Sequence, residues 1–295
     1  MRLHAISDLH LAHRENRDAL AEFVATRDYR DDWLIVAGDV GERPEHLTLA
    51  LEQLTRIFAH VLWSPGNHDL WCPRDAHDRT RGQARYEELV AICRAFGVST
   101  PEDEYRTWPD DARTHLVPMF LLYDYSFHPG DVADADAVAW ARASGVVCGD
   151  ELMLPPDPWP SRAAWCRARC DWTQARLDAL PADARTILIN HWPLRYDLAR
   201  PPRIPRFSIW CGTSRTEEWA RRYRARSVIS GHLHMRTTLV RHGVRYDEVS
   251  LGYPRDWRQE YGLAFYLREI LPGDSDASRR FTPARDPFIM APIPA

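Results

Sequence analysis

The sequence predicts an α/β protein. Through the first hundred residues, short apolar runs that stop at Gly, Asp or Pro alternate with segments of helical period. Two further apolar runs, 186–190 and 227–230, each follow a helical stretch, as crossover units do. The last third adds β-rich segments around a His242-Gly243 turn, so antiparallel strands join the parallel ones.

The elements follow in order. RLHAIS (2–7) is a short buried strand that stops at Asp8, and residues 15–26 read as a helix. WLIVAG is the second strand and ends at Gly38-Asp39. Pro44 suits a first helical turn, and Leu47, Leu51, Leu54 and Phe58 recur at helical spacing behind it. VLWSPGNHD is a strand entering a Pro-Gly turn, and 80–96 repeats the helical period through Tyr86, Leu89, Val90, Cys93 and Phe96. Beyond 100 the pattern loosens. THLVPMFLLYDYSF holds a strand, and acidic, Ala-rich and Pro-rich sequence follows it. Residues 161–180 predict an amphipathic helix with Trp165, Ala168, Trp172, Ala175 and Ala179 on one face, closed by Pro181. TILIN is a buried strand, 193–213 a Pro/Arg loop, 214–225 a helix, and SVIS a strand. RTTLVR, VRYDEVSL and GLAFYLREI read as hairpin strands. No repeat or long linker divides the chain. The expected organisation is one domain over 1–271, with a cap-like insertion around 100–180 and a Pro-rich tail over 272–295.

Composition narrows the function. The chain has 295 residues, a net charge of −4 and 45% hydrophobic residues, enough for a sizeable core. No apolar run reaches the roughly 18 residues of a membrane span. The N-terminus turns polar by Asp8, unlike a signal peptide. Six scattered cysteines without a C-x-x-C pair read as reduced thiols, so the expectation is a cytoplasmic protein with no membrane partner. The slightly acidic balance makes a nucleic-acid partner an unfavoured one. All 38 basic residues are arginine. Without lysine there is no Walker-A loop, no Schiff-base chemistry and no protein-kinase site.

The strand ends carry one kind of chemistry. Asp8-x-His10 follows the first strand, Gly38-Asp39 the second, and Gly66-Asn67-His68-Asp69 the third. His191 follows the 186–190 strand, and Gly231-His232-x-His234 the 227–230 strand. In α/β sheets ligands bind at the carboxyl ends of strands, so residues far apart in sequence should converge. Each fragment alone is commonplace; their conjunction at five strand ends is not. The donors are oxygen and imidazole without thiolate, which suits Mn, Fe, Zn or Mg, with Mn favoured. The set is too large for one tetrahedral site. Two divalent ions about 3.5–4 Å apart, sharing one carboxylate, would use it fully. Asp39, alone on its loop, is the candidate bridge.

In this order the motifs resemble the calcineurin-like metallophosphoesterase superfamily, over residues 2 to about 265. Gly-Asn-His-Asp is closer to its bacterial phosphodiesterase and small-molecule branches than to the Ser/Thr protein phosphatases. The resemblance implies a four-layer α/β/β/α sandwich of two mixed sheets flanked by helices, with the late hairpins in the second sheet. It implies one metal held by Asp8, His10, Asp39 and His234, and a second held by Asp39, Asn67, His191 and His232. A hydroxide bridging the ions would attack phosphorus. His68 is the candidate proton donor to the leaving oxygen, with Asp69 fixing its tautomer.

The substrate is less legible. Tyr123, at the end of the 114–120 strand, and Arg203, Arg206 and Trp210 in the loop after His191 are candidate contacts to a phosphate or a ring. Several arginines near the second metal favour a phosphomonoester of a soluble small molecule. A phosphodiesterase on cyclic nucleotides or nucleic-acid ends is the nearest alternative, and a non-catalytic interaction module on the same fold is another. The oligomeric state has no sequence signature here.

Overall fold

The computed structural model describes residues 1–72 and 80–272. The expected tail beyond Pro272 lies outside the described residues. The elements are β1 (Leu3–Ile6), α1 (Arg14–Thr26), β2 (Tyr29–Val36), α2 (Pro44–Ile57), β3 (Phe58–Trp63), α3 (Asn67–Leu70), α4 (Gly82–Ala95), β4 (Arg106–Trp108), β5 (Asp111–Pro118), α5 (Ala137–Arg142), α6 (Asp150–Met153), α7 (Arg162–Asp178), β6 (Arg185–Ile189), α8 (Trp219–Arg222), β7 (Ala225–Ser230), β8 (Thr238–Arg241), β9 (Val244–Glu248), α9 (Gly262–Tyr266) and β10 (Arg268–Leu271).

Two sheets result. One has the order β10-β1-β2-β3, the other β4-β5-β6-β7-β9-β8. β1, β2 and β3 run parallel, as do β5, β6, β7 and β9, while β10, β4 and β8 are antiparallel edges. The alternation of side chains along each strand makes the layers. Leu3 and Ala5, Ile35, Leu62 and Ile270 from the first sheet pack in one cluster with Leu116, Ile187, Ile189 and Ile229 from the second. Their neighbours Ile6, Leu34, Val36, Val61, Trp63, Leu188 and Val228 turn away into the helix-covered layers. α2 packs on β2 and β3, and α8 on β7. This is the expected four-layer sandwich.

Several local expectations need correction. GLAFYLREI is not a hairpin strand: 262–266 is helical, and only β10 is extended. β10 pairs with β1 of the first sheet, with His4 opposite Glu269, so the late hairpin supplies only β8 and β9 to the second sheet. The 214–225 stretch is a 3-10 turn followed by the single turn α8. α7 exists as expected, but its buried face is Trp165, Cys166, Cys170, Thr173 and Leu177. Ala175 and Ala179 are exposed, and Trp172 lies under Arg169 and Arg176, at 4.3 and 4.5 Å from its ring. Small residues let the helix approach closely, whereas a tryptophan can spend its face on guanidinium planes. Within the region around 100–180, β4 and β5 are members of the second sheet, and residues 119–184, α7 included, contribute no strand to either sheet.

Candidate metal centre and the histidine beside it

The carboxyl ends of β1, β2, β3, β6 and β7 meet at one edge of the sandwich. Five side chains there leave the strands from left-handed backbone: Asp8 (φ 55), His10 (φ 44), Asp39 (φ 52), His232 (φ 74) and His234 (φ 53). Such conformations are unfavourable for non-glycine residues and persist where surrounding bonds over-determine them. Here Asp8 N donates to Gly38 O at 2.9 Å and His10 N donates to Asp39 O at 3.0 Å. Gly38 has φ 91, and a Cβ on it would stand 2.6 Å from Gly66 N and 2.7 Å from His191 Nδ1. The glycines before Asp39 and Asn67 therefore let the two loops touch.

Two donor groups result. His234 Nε2 lies 3.1 Å from Asp8 Oδ1 and 3.2 Å from His10 Nε2. Asn67 Oδ1 lies 3.2 Å from His191 Nε2 and 3.1 Å from His232 Nδ1. Asp39 stands between them, with Oδ2 3.3 Å from His191 Nε2, and it also groups with His10 and His68.

Outer contacts aim these donors. His234 Nδ1 donates to Asp256 Oδ2 at 2.8 Å, and His191 Nδ1 donates to Ala37 O at 2.8 Å. Both bonds leave an Nε2 lone pair facing the cluster. Asn67 Nδ2 donates to the buried Asp150 Oδ1 at 2.9 Å, which turns Asn67 Oδ1 inward. Lone pairs packed this closely repel one another unless cations lie among them. The nitrogen and oxygen set without sulfur fits divalent ions.

The electrostatics agree. Burial holds His10 down to about 3; for His232, burial and then the neighbouring His191 charge do the same. Burial also opposes charge on His191, but the Asp39 and Asp8 carboxylates outweigh it and hold that imidazole up to about 9. His234 is up at about 10 against its burial, through its bonds to Asp256 and Asp8. The site attracts positive charge strongly.

His68 is buried at the same edge, stacked on Trp71 at 3.7 Å between centroids. Its expected partner Asp69 is elsewhere. The Asp69 carboxylate accepts the backbone N–H groups of Gly66 (2.8 Å), Asp39 (2.9 Å) and Val40 (2.9 Å), clamping the two loops together. Asp69 holds the scaffold because a carboxylate three residues into α3 reaches back to the start of its own helix. The group facing His68 Nδ1 is Glu42 Oε1, at 3.3 Å. Against its burial, the Asp39 charge and the Glu42 bond raise the His68 pKa above the usual imidazole value.

The substrate candidates separate. Tyr123 and Trp210 are fully buried, and Trp210 Nε1 donates to Glu151 at 2.8 Å. Neither lines the cavity at the metal edge: both belong to the core under it. Arg206 caps the Trp140 carbonyl and lies over the Trp140 ring, turned away from the metal ligands. Of the four, only Arg203 lines the cavity. The sequence reading missed Glu42, Asp150, Asp256 and Tyr253. Glu42 carries a faint signal, three residues past Asp39 on one loop. The others come from segments with no motif.

The cavity measures about 1040 Å³. Asp39, Asn67, His68, His232 and His234 form its floor, and Val147, Ile204, Phe207, Phe265 and Tyr266 give it apolar walls. The calcineurin-like phosphoesterase family model matches residues 1–236. The chain belongs to the calcineurin-like phosphoesterases. Among curated proteins, it is 42% identical over 292 residues to the [acyl-carrier-protein] phosphodiesterase PptH of Mycobacterium tuberculosis, covering 98% of this chain and 89% of that one. Among solved structures, it matches that of phosphopantetheinyl hydrolase (PptH) from Mycobacterium tuberculosis with a TM-score of 0.85 and 44% identity, covering 92% of this chain and 96% of that one. As a calcineurin-like phosphoesterase, the protein is a hydrolase of phosphoesters whose family implies divalent metal ions. Among the described residues, no helix is long and apolar enough to cross a membrane.

Proposed function

We propose that this phosphoesterase is a phosphodiesterase that removes the phosphopantetheinyl arm from an acyl carrier protein. The observation that carries the reading is the 42% identity to the acyl-carrier-protein phosphodiesterase across nearly the whole of both chains. The substrate is then a diester on a protein, not a free small-molecule monoester. The arginines that favoured a monoester dianion are largely engaged elsewhere: Arg195 with Asp197 and Glu217, Arg200 over Tyr196, and Arg206 at Trp140. A diester carries one charge and asks for less. The apolar-walled cavity of about 1040 Å³ would hold a pantetheine-sized arm beside the metal edge.

Asp8, His10, Asp39 and His234 would hold one divalent ion, and Asp39, Asn67, His191 and His232 a second. Bound there, the ions supply Lewis acidity and water acidified towards neutral pH. The chain's own residues do the rest. His68, on the floor of the cavity, would give a proton from Nε2 to the leaving oxygen of the carrier. Glu42 stabilises the imidazolium from the Nδ1 side. Trp71 fixes the plane of the His68 ring. Val147, Cys148 and Gly149, with Pro201–Ile204, border the cavity.

The test is to incubate Mn²⁺-loaded protein with a phosphopantetheinylated carrier protein and follow its intact mass. Conversion to the unmodified carrier with release of phosphopantetheine is expected. Hydrolysis of bis(p-nitrophenyl) phosphate with an untouched carrier protein would overturn the substrate and leave the phosphodiesterase.

A further inference from the structure

Tyr253 belongs to none of the five motifs, yet it contacts His10, His68 and His234 together. Its ring stacks on His10 at 4.3 Å and 23°. It meets His234 edge-on at 4.9 Å and His68 at 6.3 Å. Its hydroxyl lies 3.4 Å from His68 Nε2, and the residue lines the cavity.

The placement is fixed from several sides. Gly252 N donates to Asp8 O at 3.0 Å, and Leu251 N to Ser7 O at 2.8 Å. The buried Asn16 donates to Leu9 O and Gly252 O at 2.8 and 3.0 Å and accepts from Trp257 Nε1 at 3.2 Å. Tyr253 N donates at 3.0 Å to Asp256 Oδ2, the same oxygen that accepts from His234 Nδ1. A phenol on so many anchors is pre-organised, and a hydrogen bond from it costs little reorganisation.

We propose that the Tyr253 hydroxyl donates a hydrogen bond to the leaving oxygen of the phosphoester, beside His68. Two groups 3.4 Å apart can both reach one oxygen lying between them on the cavity side. The division of labour balances. The oxygen of water bonds to phosphorus and the bond from phosphorus to the leaving oxygen breaks. The leaving oxygen takes the proton of His68 Nε2, and a proton of the water restores the imidazolium. Tyr253 keeps its own proton throughout and stabilises the negative charge that grows on the leaving oxygen before the transfer is complete. The hydrogen bond therefore matters most when the leaving group is a poor one.

The experiment compares wild type with Tyr253→Phe, which retains the ring stacked on His10, on paired phenyl and p-nitrophenyl phosphodiesters. It uses no carrier protein, so it stands or falls apart from the substrate proposed above. A drop in kcat of about tenfold or more is expected with the phenyl diester, the scale of one hydrogen bond made in the transition state. With the p-nitrophenyl diester the loss should be a few-fold at most, with KM nearly unchanged for both. Bound metal by elemental analysis and the thermal midpoint should match wild type. Equal losses on both esters, an unchanged kcat on the phenyl ester, or a loss of metal from the variant would each overturn the proposal. The first or last would reduce Tyr253 to packing against His10.

Discussion

Asn67 Nδ2 donates to Asp150 Oδ1 at 2.9 Å, across 83 positions of sequence. The same Asp150 oxygen accepts Trp71 Nε1 at 2.7 Å, so one buried carboxylate aims the candidate ligand Asn67 and steadies the tryptophan stacked on His68. Asp150 comes from the stretch that stands outside both sheets. That stretch helps to build the site floor as well as bordering the cavity.

Asp150→Ala should therefore free Asn67 to turn. Outer contacts of this kind typically carry about 10- to 100-fold in metal affinity. The expected result is a weakened second equivalent in a Mn²⁺ titration, with the first equivalent near its wild-type affinity. Two undisturbed equivalents would show that Asn67 needs no such support.

Asp39 is the carboxylate placed between the two donor groups. Asp39→Asn removes a charge both would share, so elemental analysis after gel filtration should find both positions depleted. Full occupancy of both would remove Asp39 from the bridging position.

His68→Ala should lower kcat about 10²- to 10⁴-fold while metal is retained, the range for losing a general acid. Glu42→Gln should lower it less. In the double variant the effect of Glu42 should nearly vanish, because the two residues act as one unit. Additive losses would separate Glu42 from the proton transfer.

His60 offers a stability test away from the metals. It bonds Ser99 Oγ at 2.9 Å, and burial, with a smaller push from Arg106, holds it down to about 4. An unfolded histidine titrates near 6.5. The folded state prefers neutral His60, so the stabilisation is complete above that value and is lost as pH falls from about 6.5 towards 4. Between pH 7 and 5 the urea midpoint of wild type should fall more than that of His60→Gln. Parallel curves would show that His60 does not contribute.

The candidate metal donors were legible because each sits within a few residues of a strand end. A parallel strand of apolar residues stopped by Gly or Asp is a local pattern, and its carboxyl end is where the backbone stops pairing. Asp8, His10, Asp39, Asn67, His191, His232 and His234 all have that signature. The helices α1, α2, α4 and α7 were legible from periodicity, although the buried face of α7 was not. Cys166, Cys170 and Thr173 pack in the interior with Trp165, and Trp172 lies against arginines.

What the sequence alone determined was the α/β class, the candidate donor set and, through the order of its motifs, the phosphoester chemistry. Tertiary structure decided which carboxylate serves which histidine. Glu42 and Asp69 are both near His68 in the chain or the fold, and only the backbone N–H groups gathered around Asp69 show that it is engaged elsewhere. It also decided that Trp210 and Tyr123 fill the core while Tyr253 faces the cavity. An aromatic residue carries the same apolar surface in either place. Whether it packs inside or stands over a metal centre depends on which distant segments close around it, and local sequence holds no record of that.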